Sequence, residues 1–284
     1  MKAIANGIGQ FYQRIGDGPP LVLIHALGLS HRLWDELVPR LAGVCQVVTY
    51  DVRGHGQSDV PPGPYSMADF AEDLVGLLDA LGIESAHLAG ISMGGMIAQE
   101  FVLTWPQRVR SLFLADTTSE YHQEARRQLA ERARIAEERG MRPLVEPTLD
   151  RWFTRDFRLA EPGEVERIRA MLEAANPQGY AASCRAIAEA EWTERLVGVM
   201  TPTMVLVGAE DRSTPPEMAL KIHEYVPGSR YEIIPATAHL TCVARPDEFA
   251  NLVLATVRSA EPGEPAETTE LDVLPEKSEE PEEL

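Results

Sequence analysis

The sequence predicts an α/β fold: a mostly parallel sheet covered by helices on both faces, with an all-helical insertion between two of its strands. Three observations carry this. Short runs that are apolar throughout alternate with stretches of helical periodicity, the pattern of strands buried on both sides. The alternation lapses once, over residues 119–195, where helical patterns follow one another with no strand-like run between them. The length, 284 residues, suits one large domain or one domain carrying an insertion.

The elements follow in order. Residues 21–25 (L-V-L-I-H), 46–51 (Q-V-V-T-Y-D) and 85–90 (S-A-H-L-A-G) read as strands, as do 109–116, 203–208 and 230–235. Between the second and third, residues 67–81 set Phe70, Leu74, Leu77, Leu78 and Leu81 on one helical face. In the insertion, helices are expected over 121–139, 142–153, 164–175 and 179–190, punctuated by Pro143, Pro147, Pro162 and Pro177. The expected division is a core of residues 1–118 and 196–259, a helical cap of 119–195 placed where a lid would sit, and a tail of 260–284. All thirteen basic residues of the cap are arginines, faced by fifteen acids, so it is neither a basic patch nor a disordered segment.

Composition narrows the function. The net charge of −18 argues against nucleic acid or an anionic membrane as partner. Half of it lies in residues 260–284, where nine Glu and one Asp stand against Lys277, with four prolines and no aromatic residue. Such a segment buries too little surface to offset its ordering entropy and is expected to be disordered. Only L-D-V-L at 271–274 offers a partner protein something to grip. No apolar run approaches the roughly 20 residues of a membrane span, and the first ten residues lack the apolar region of a signal peptide. Cys45, Cys184 and Cys242 are odd in number and form no C-x-x-C, which implies neither zinc nor a redox centre and suits a reducing cytoplasm.

The chemistry is concentrated in a few strings. G-I-S-M-G-G at 90–95 contains G-x-S-x-G, follows a strand and opens a helix. That is the setting of a nucleophile elbow, which exposes Ser92 at a sharp turn above the sheet. A serine hydroxyl needs a base, and His239 follows the last predicted strand. Asp211, after the strand before it, is the candidate acid, with Asp116 as its rival; Glu210 would point elsewhere. Ser92, Asp211 and His239 all fall on loops at the carboxyl ends of strands, where open α/β sheets bind ligands. An oxyanion hole needs two backbone donors. Met93, next to the nucleophile, and Leu27, in H-A-L-G at 25–28, are assigned to it, with His25 read as packing that loop. D-V-R-G-H-G-Q-S at 51–58 reads as a rigid turn held by Asp51 and Arg53.

Together H-A-L-G, D-V-R-G-H-G-Q-S, G-I-S-M-G-G-M-I-A-Q and G-A-E-D-R-S-T-P-P-E resemble the α/β-hydrolase superfamily. The cap strings D-R-W-F-T-R-D-F-R at 150–158 and G-Y-A-A-S-C-R-A-I at 179–187 resemble the 3-oxoadipate enol-lactonases within it, over residues 4–258. The chain departs from that pattern before His239, where A-T-A stands in place of the usual glycines. The resemblance implies an α/β-hydrolase fold and hydrolysis of a small enol-lactone bearing a carboxylate, through an acyl-enzyme on Ser92, without metal or organic cofactor. It also implies a cation for the substrate's carboxylate. Arg32, beside the oxyanion loop, and Arg151, Trp152 and Arg155 in the cap are the candidates. An esterase or lactonase of other specificity, a C–C hydrolase or perhydrolase, and a receptor on the same fold are the competing readings.

Overall fold

A computed structural model describes residues 1–261. Eight strands form one sheet: β1 (Lys2–Ala5), β2 (Ile8–Ile15), β3 (Pro20–Ile24), β4 (Gln46–Tyr50), β5 (Ala86–Ile91), β6 (Val109–Ala115), β7 (Thr203–Gly208) and β8 (Arg230–Ile234). Their order is β1-β2-β4-β3-β5-β6-β7-β8. The pairs β1–β2 and β2–β4 are antiparallel, and every pair from β4 through β8 is parallel.

Period-two alternation divides the core. Val22, Ile24, Leu88, Leu112, Leu114, Val205 and Val207 face one side of the sheet, with Phe70, Leu74, Phe101 and Ile222 from the helices Met67–Ala80, Met93–Thr104 and Pro216–Tyr225. Leu21, Leu23, Ala89, Phe113, Met204 and Leu206 face the other, against Leu41 and against Phe249 and Val253 of the helix Pro246–Ala260. The residues between two strand neighbours therefore have no solvent face, which is why these runs are apolar throughout rather than alternating.

The insertion between β6 and β7 holds five helices: Gln123–Arg139, Arg142–Trp152, Arg155–Ala160, Pro162–Ala174 and Pro177–Ala188. The first and last pack together. Pro147 lies inside the second helix, within the expected span of 142–153. One feature of the insertion differs from the sequence reading: Arg155–Ala160 forms a short helix of its own, capped by Thr154, whose hydroxyl accepts from the Phe157 N–H at 3.1 Å. The N-terminal strands β1 and β2 were not foreseen. Asn6 and Gly7 turn between them with φ of 48° and 78°, the positive values an Asn-Gly hairpin turn requires.

The core also continues past its expected end. The last helix runs to Ala260, and the Glu261 carboxylate accepts from Arg110 at 3.2 Å and pairs with His87 at 2.9 Å. Residues 262–284, the rest of the expected acidic tail, lie outside the described residues. Among the described residues no helix is long and apolar enough to cross a membrane.

Candidate active site

Parallel strands bring their carboxyl ends to one edge of the sheet. The register pairs Ile24 with Gly90, Ile91 with Ala115, Ala115 with Leu206 and Gly208 with Ile234. The loops that follow these residues therefore meet, and they carry Leu27, Ser92, Asp116, Asp211 and His239.

Ser92 sits between β5 and its helix with φ 54° and ψ −118°. For a residue with a Cβ this is strained backbone, held only where the surroundings dictate it. The surroundings here are close-packed. A Cβ on Gly94 would lie 2.0 Å from the Ile24 carbonyl oxygen, and one on Gly90 would lie 2.2 Å from the Gly94 carbonyl oxygen. The helix can start tight against β3 only with glycine at both places.

Ser92 Oγ lies 2.9 Å from His239 Nε2. His239 Nδ1 lies 2.8 Å from Asp211 Oδ2. A carboxylate only accepts, so Nδ1 carries the proton and Nε2 is left to accept from the Ser92 hydroxyl. Asp211 is fixed in turn: Oδ1 accepts from the Ser213 and Thr214 N–H groups at 2.7 and 3.0 Å, and Oδ2 from the Thr214 hydroxyl at 2.9 Å. His239 and Asp211 are both buried. An imidazole oriented this way can take a proton from Ser92 and be stabilised as a cation while it holds it.

Asp116, the rival acid, has other partners. Its Oδ1 accepts from the Gly208 N–H at 3.0 Å, and its Oδ2 from the Thr241 N–H and hydroxyl at 3.1 and 2.7 Å. It ties the end of β7 to the loop after His239. Burial, then the charge of Asp211, holds its carboxyl well above the usual carboxylate range. Ala236, in the A-T-A stretch, adopts φ 54°. The chain thus keeps a left-handed turn before His239 without glycine, at a cost of about 1–2 kcal/mol.

The two expected oxyanion donors lie beside Ser92. Met93 is the first residue of its helix, so its N–H has no intrahelical acceptor. Leu27 lies on the loop after β3, and among the described residues its N–H makes no hydrogen bond. His25 packs that loop: Nδ1–H donates to the Ala26 carbonyl at 2.9 Å, and Nε2 accepts from the Val52 N–H at 3.0 Å. Asp51 and Arg53 brace the neighbouring turn. Asp51 accepts from the His31 and Gln57 N–H groups at 2.6 and 2.8 Å, and Arg53 grips Asp73 with two contacts of 2.6 Å.

Burial lowers the pKa of His25, the Asp51 charge opposing, and pushes His55 down to about 3, helped by His25. Both folded-state values lie below the unfolded one near 6.5. Below that pH the unfolded chain takes up protons that the folded chain refuses, so stability falls as pH falls. For His55 each unit crossed between its folded and unfolded values costs about 1.4 kcal/mol, and His25 acts in the same direction. Urea unfolding between pH 6.5 and 4.5 is expected to show this slope, and His55→Gln to flatten it. An unchanged slope in the variant would contradict the assignment.

A cavity of about 360 Å³ opens over Ser92. Leu27, Ser92, Met93, Met96 and His239 form its floor, and Tyr121, Leu129, Arg132, Arg151, Trp152, Ile187 and Arg212 line the rest. The Trp152 ring lies 5.8 Å from that of His239. Three arginines thus line one small space, Arg132 and Arg151 partly buried and Arg212 exposed, and among the described residues none pairs with a carboxylate. Arg151 touches the Thr148 hydroxyl at 3.3 Å, Arg212 donates to the Asp150 carbonyl, and Arg132 Nε is buried with no acceptor. Burial, then the Arg132 charge, lowers the pKa of Arg151.

Of the four expected substrate contacts, Arg151 and Trp152 line this cavity and Arg32 and Arg155 do not. Arg32 is exposed and paired with Asp35 at 3.4 Å. Arg155 is exposed on a separate depression with Thr154 and Glu210. The helix starting at Arg155 turns that side chain away from its neighbours at 151 and 152. Arg132, Arg212 and Tyr121 went unnoticed in the sequence. Arg132 is one of several arginines on a charged helix, and nothing in the local pattern separates it from its solvated neighbours. Arg212 follows Asp211 directly, which was the available signal.

The sequence profile of the alpha/beta hydrolase fold matches residues 19–246. The chain is 31% identical to 3-oxoadipate enol-lactonase 2 of Acinetobacter baylyi over 242 residues, 85% of this chain and 90% of that protein. It superposes on the crystal structure of the enol-lactonase from Burkholderia xenovorans LB400 with a TM-score of 0.88 and 29% identity, covering 91% of this chain and all of that one. A thermophilic esterase from Thermogutta terrifontis, solved with malate bound, gives 0.87 and 29%, covering 92% and 98%.

Proposed function

The chain belongs to the α/β-hydrolase family, and on that premise we propose that it opens a small enol-lactone bearing a carboxylate, converting 3-oxoadipate enol-lactone to 3-oxoadipate. The observation that carries the substrate class is the set of arginines in the cavity above Ser92 that, among the described residues, have no carboxylate partner. Relatives named as enol-lactonases support the reaction.

The steps follow from the side chains. Ser92 Oγ attacks the lactone carbonyl as His239 Nε2 takes its proton. Asp211 holds the imidazole and offsets its charge. The Leu27 and Met93 N–H groups receive the oxyanion. The ring C–O bond breaks, and the leaving enolate, a weaker base than an alkoxide, takes the proton from His239; the enol stays attached through the acyl chain and tautomerises to a ketone. His239, neutral again, takes a proton from water as it attacks the acyl carbon, and returns it to Ser92 Oγ as the acyl C–O bond breaks. Arg132 and Arg151 hold the substrate's carboxylate by charge-assisted hydrogen bonds, and Trp152 covers the unsaturated ring. A cavity of about 360 Å³ lies near the small end of the ligand-site range of about 300–1,000 Å³, which favours a compact substrate.

The test compares kcat/KM for the enol-lactone and for its methyl ester. The wild type should prefer the acid. Arg132→Ala and Arg151→Ala should each lower kcat/KM for the acid by about 10–100-fold and leave the ester nearly unchanged. Preference for the ester, or no opening of the lactone, would replace this reading with that of a general esterase.

A further inference from the structure

We propose that the cavity is a dianion site. It holds an open-chain dicarboxylate, the product of its own reaction, more tightly than the monoanionic lactone, so the protein is inhibited by what it makes. The identity of that product rests on the enol-lactonase reading; the charge balance does not.

Arg132, Arg151 and the exposed Arg212 line one cavity, and among the described residues their hydrogen-bond partners are a hydroxyl and a backbone carbonyl. Glu131 also lines the cavity; it is exposed and held at 2.7 and 2.9 Å by Arg134, which it shares with Glu138. Asp211 lies behind His239 and offsets one charge. Among the described residues Arg132 Nε is buried without an acceptor, and Arg151 and Arg212 each make one neutral contact. A lactone with one carboxylate leaves guanidinium donors in the cavity that a second carboxylate can take.

Hydrolysis supplies that second carboxylate. In deacylation water adds its oxygen to the acyl carbon, the bond from that carbon to Ser92 Oγ breaks, and Oγ regains its proton from His239. The new carboxylic acid loses its proton to solvent at neutral pH. One neutral ester bond has become one carboxylate inside the same cationic cavity. The product therefore gains an attraction the substrate lacks, on the order of 10–100-fold in affinity for one charge-assisted contact. The attraction is electrostatic, so salt weakens it.

Adipate and its monomethyl ester are the probes, equal in chain length and differing by one charge. Each is titrated calorimetrically into Ser92→Ala, and each is tested as an inhibitor of wild-type turnover of p-nitrophenyl acetate, a neutral reporter. Adipate is expected to bind at least about tenfold more tightly, competitively, with the gap closing as sodium chloride rises. The gap should also shrink in Arg132→Gln and in Arg151→Gln, which lie on different cap helices. Equal binding of the two probes, tighter binding of the monoester, or binding of neither would overturn the proposal. If the enol-lactone is opened but adipate has no advantage, the dianion site fails and the enol-lactonase reading stands. If adipate is preferred but the lactone is inert, the reverse holds.

Discussion

Ser92→Ala is expected to lower kcat by on the order of 10⁶-fold with little change in the melting temperature. Among the described residues the side chain at 92 is the only hydroxyl within hydrogen-bond reach of His239 Nε2, so no second nucleophile can take over. Acyl transfer would fall back on water aided by the oxyanion donors and binding alone. The fold has little reason to change. The strained turn comes from Gly90 and Gly94 packing against backbone, and alanine meets the same backbone restrictions as serine there. Steady-state turnover with a thermal melt of the same sample checks both halves. Ordinary turnover by the variant would remove Ser92 from the chemistry, and a collapsed melt would show that its hydroxyl is structural.

Asp211→Asn is expected to cost on the order of 10⁴-fold in kcat, by analogy with the tautomer defect of serine proteases. The local hydrogen bonds say why. The Ser213 and Thr214 N–H groups donate to Oδ1, so the oxygen of the new amide settles there and its NH₂ faces His239. Nδ1 must then accept, the ring proton moves to Nε2, and His239 can no longer accept from Ser92. Asp116→Asn should behave differently. Asp116 contacts Gly208 and Thr241 rather than His239, so its loss should destabilise by about 1–3 kcal/mol and cost activity far less. Measuring kcat and unfolding for both variants separates the two acids. A larger kinetic defect at Asp116 would move the acid to the preceding strand.

The sheet was legible because burial on both faces leaves a strand no polar position, and β3 to β7 are written that way. The N-terminal hairpin was not. β1 is largely exposed and β2 half-buried, so neither carries an apolar run, and only Asn6-Gly7 marked the turn. Ser92, Asp211 and His239 could be picked out because a parallel sheet delivers every strand end to one edge. Chain order and loop position then sufficed to nominate them, and Asp116 remained a rival until hydrogen-bond partners were known. The cap resisted reading for a different reason. Arg32, Arg132, Arg151 and Arg155 look alike in sequence, and which of them faces the cavity depends on how the cap helices rotate and cross, a property of packing rather than of local pattern.

The central claim is acyl transfer to Ser92 from a lactone. Rapid quenching of wild-type protein mixed with the enol-lactone, followed by intact-mass and peptide analysis, tests it most directly. Because a lactone keeps its leaving group, the adduct should carry the mass of one whole substrate molecule, on the peptide containing Ser92, and vanish as product forms. Turnover with no adduct at Ser92, or with the adduct on another residue, would contradict the account.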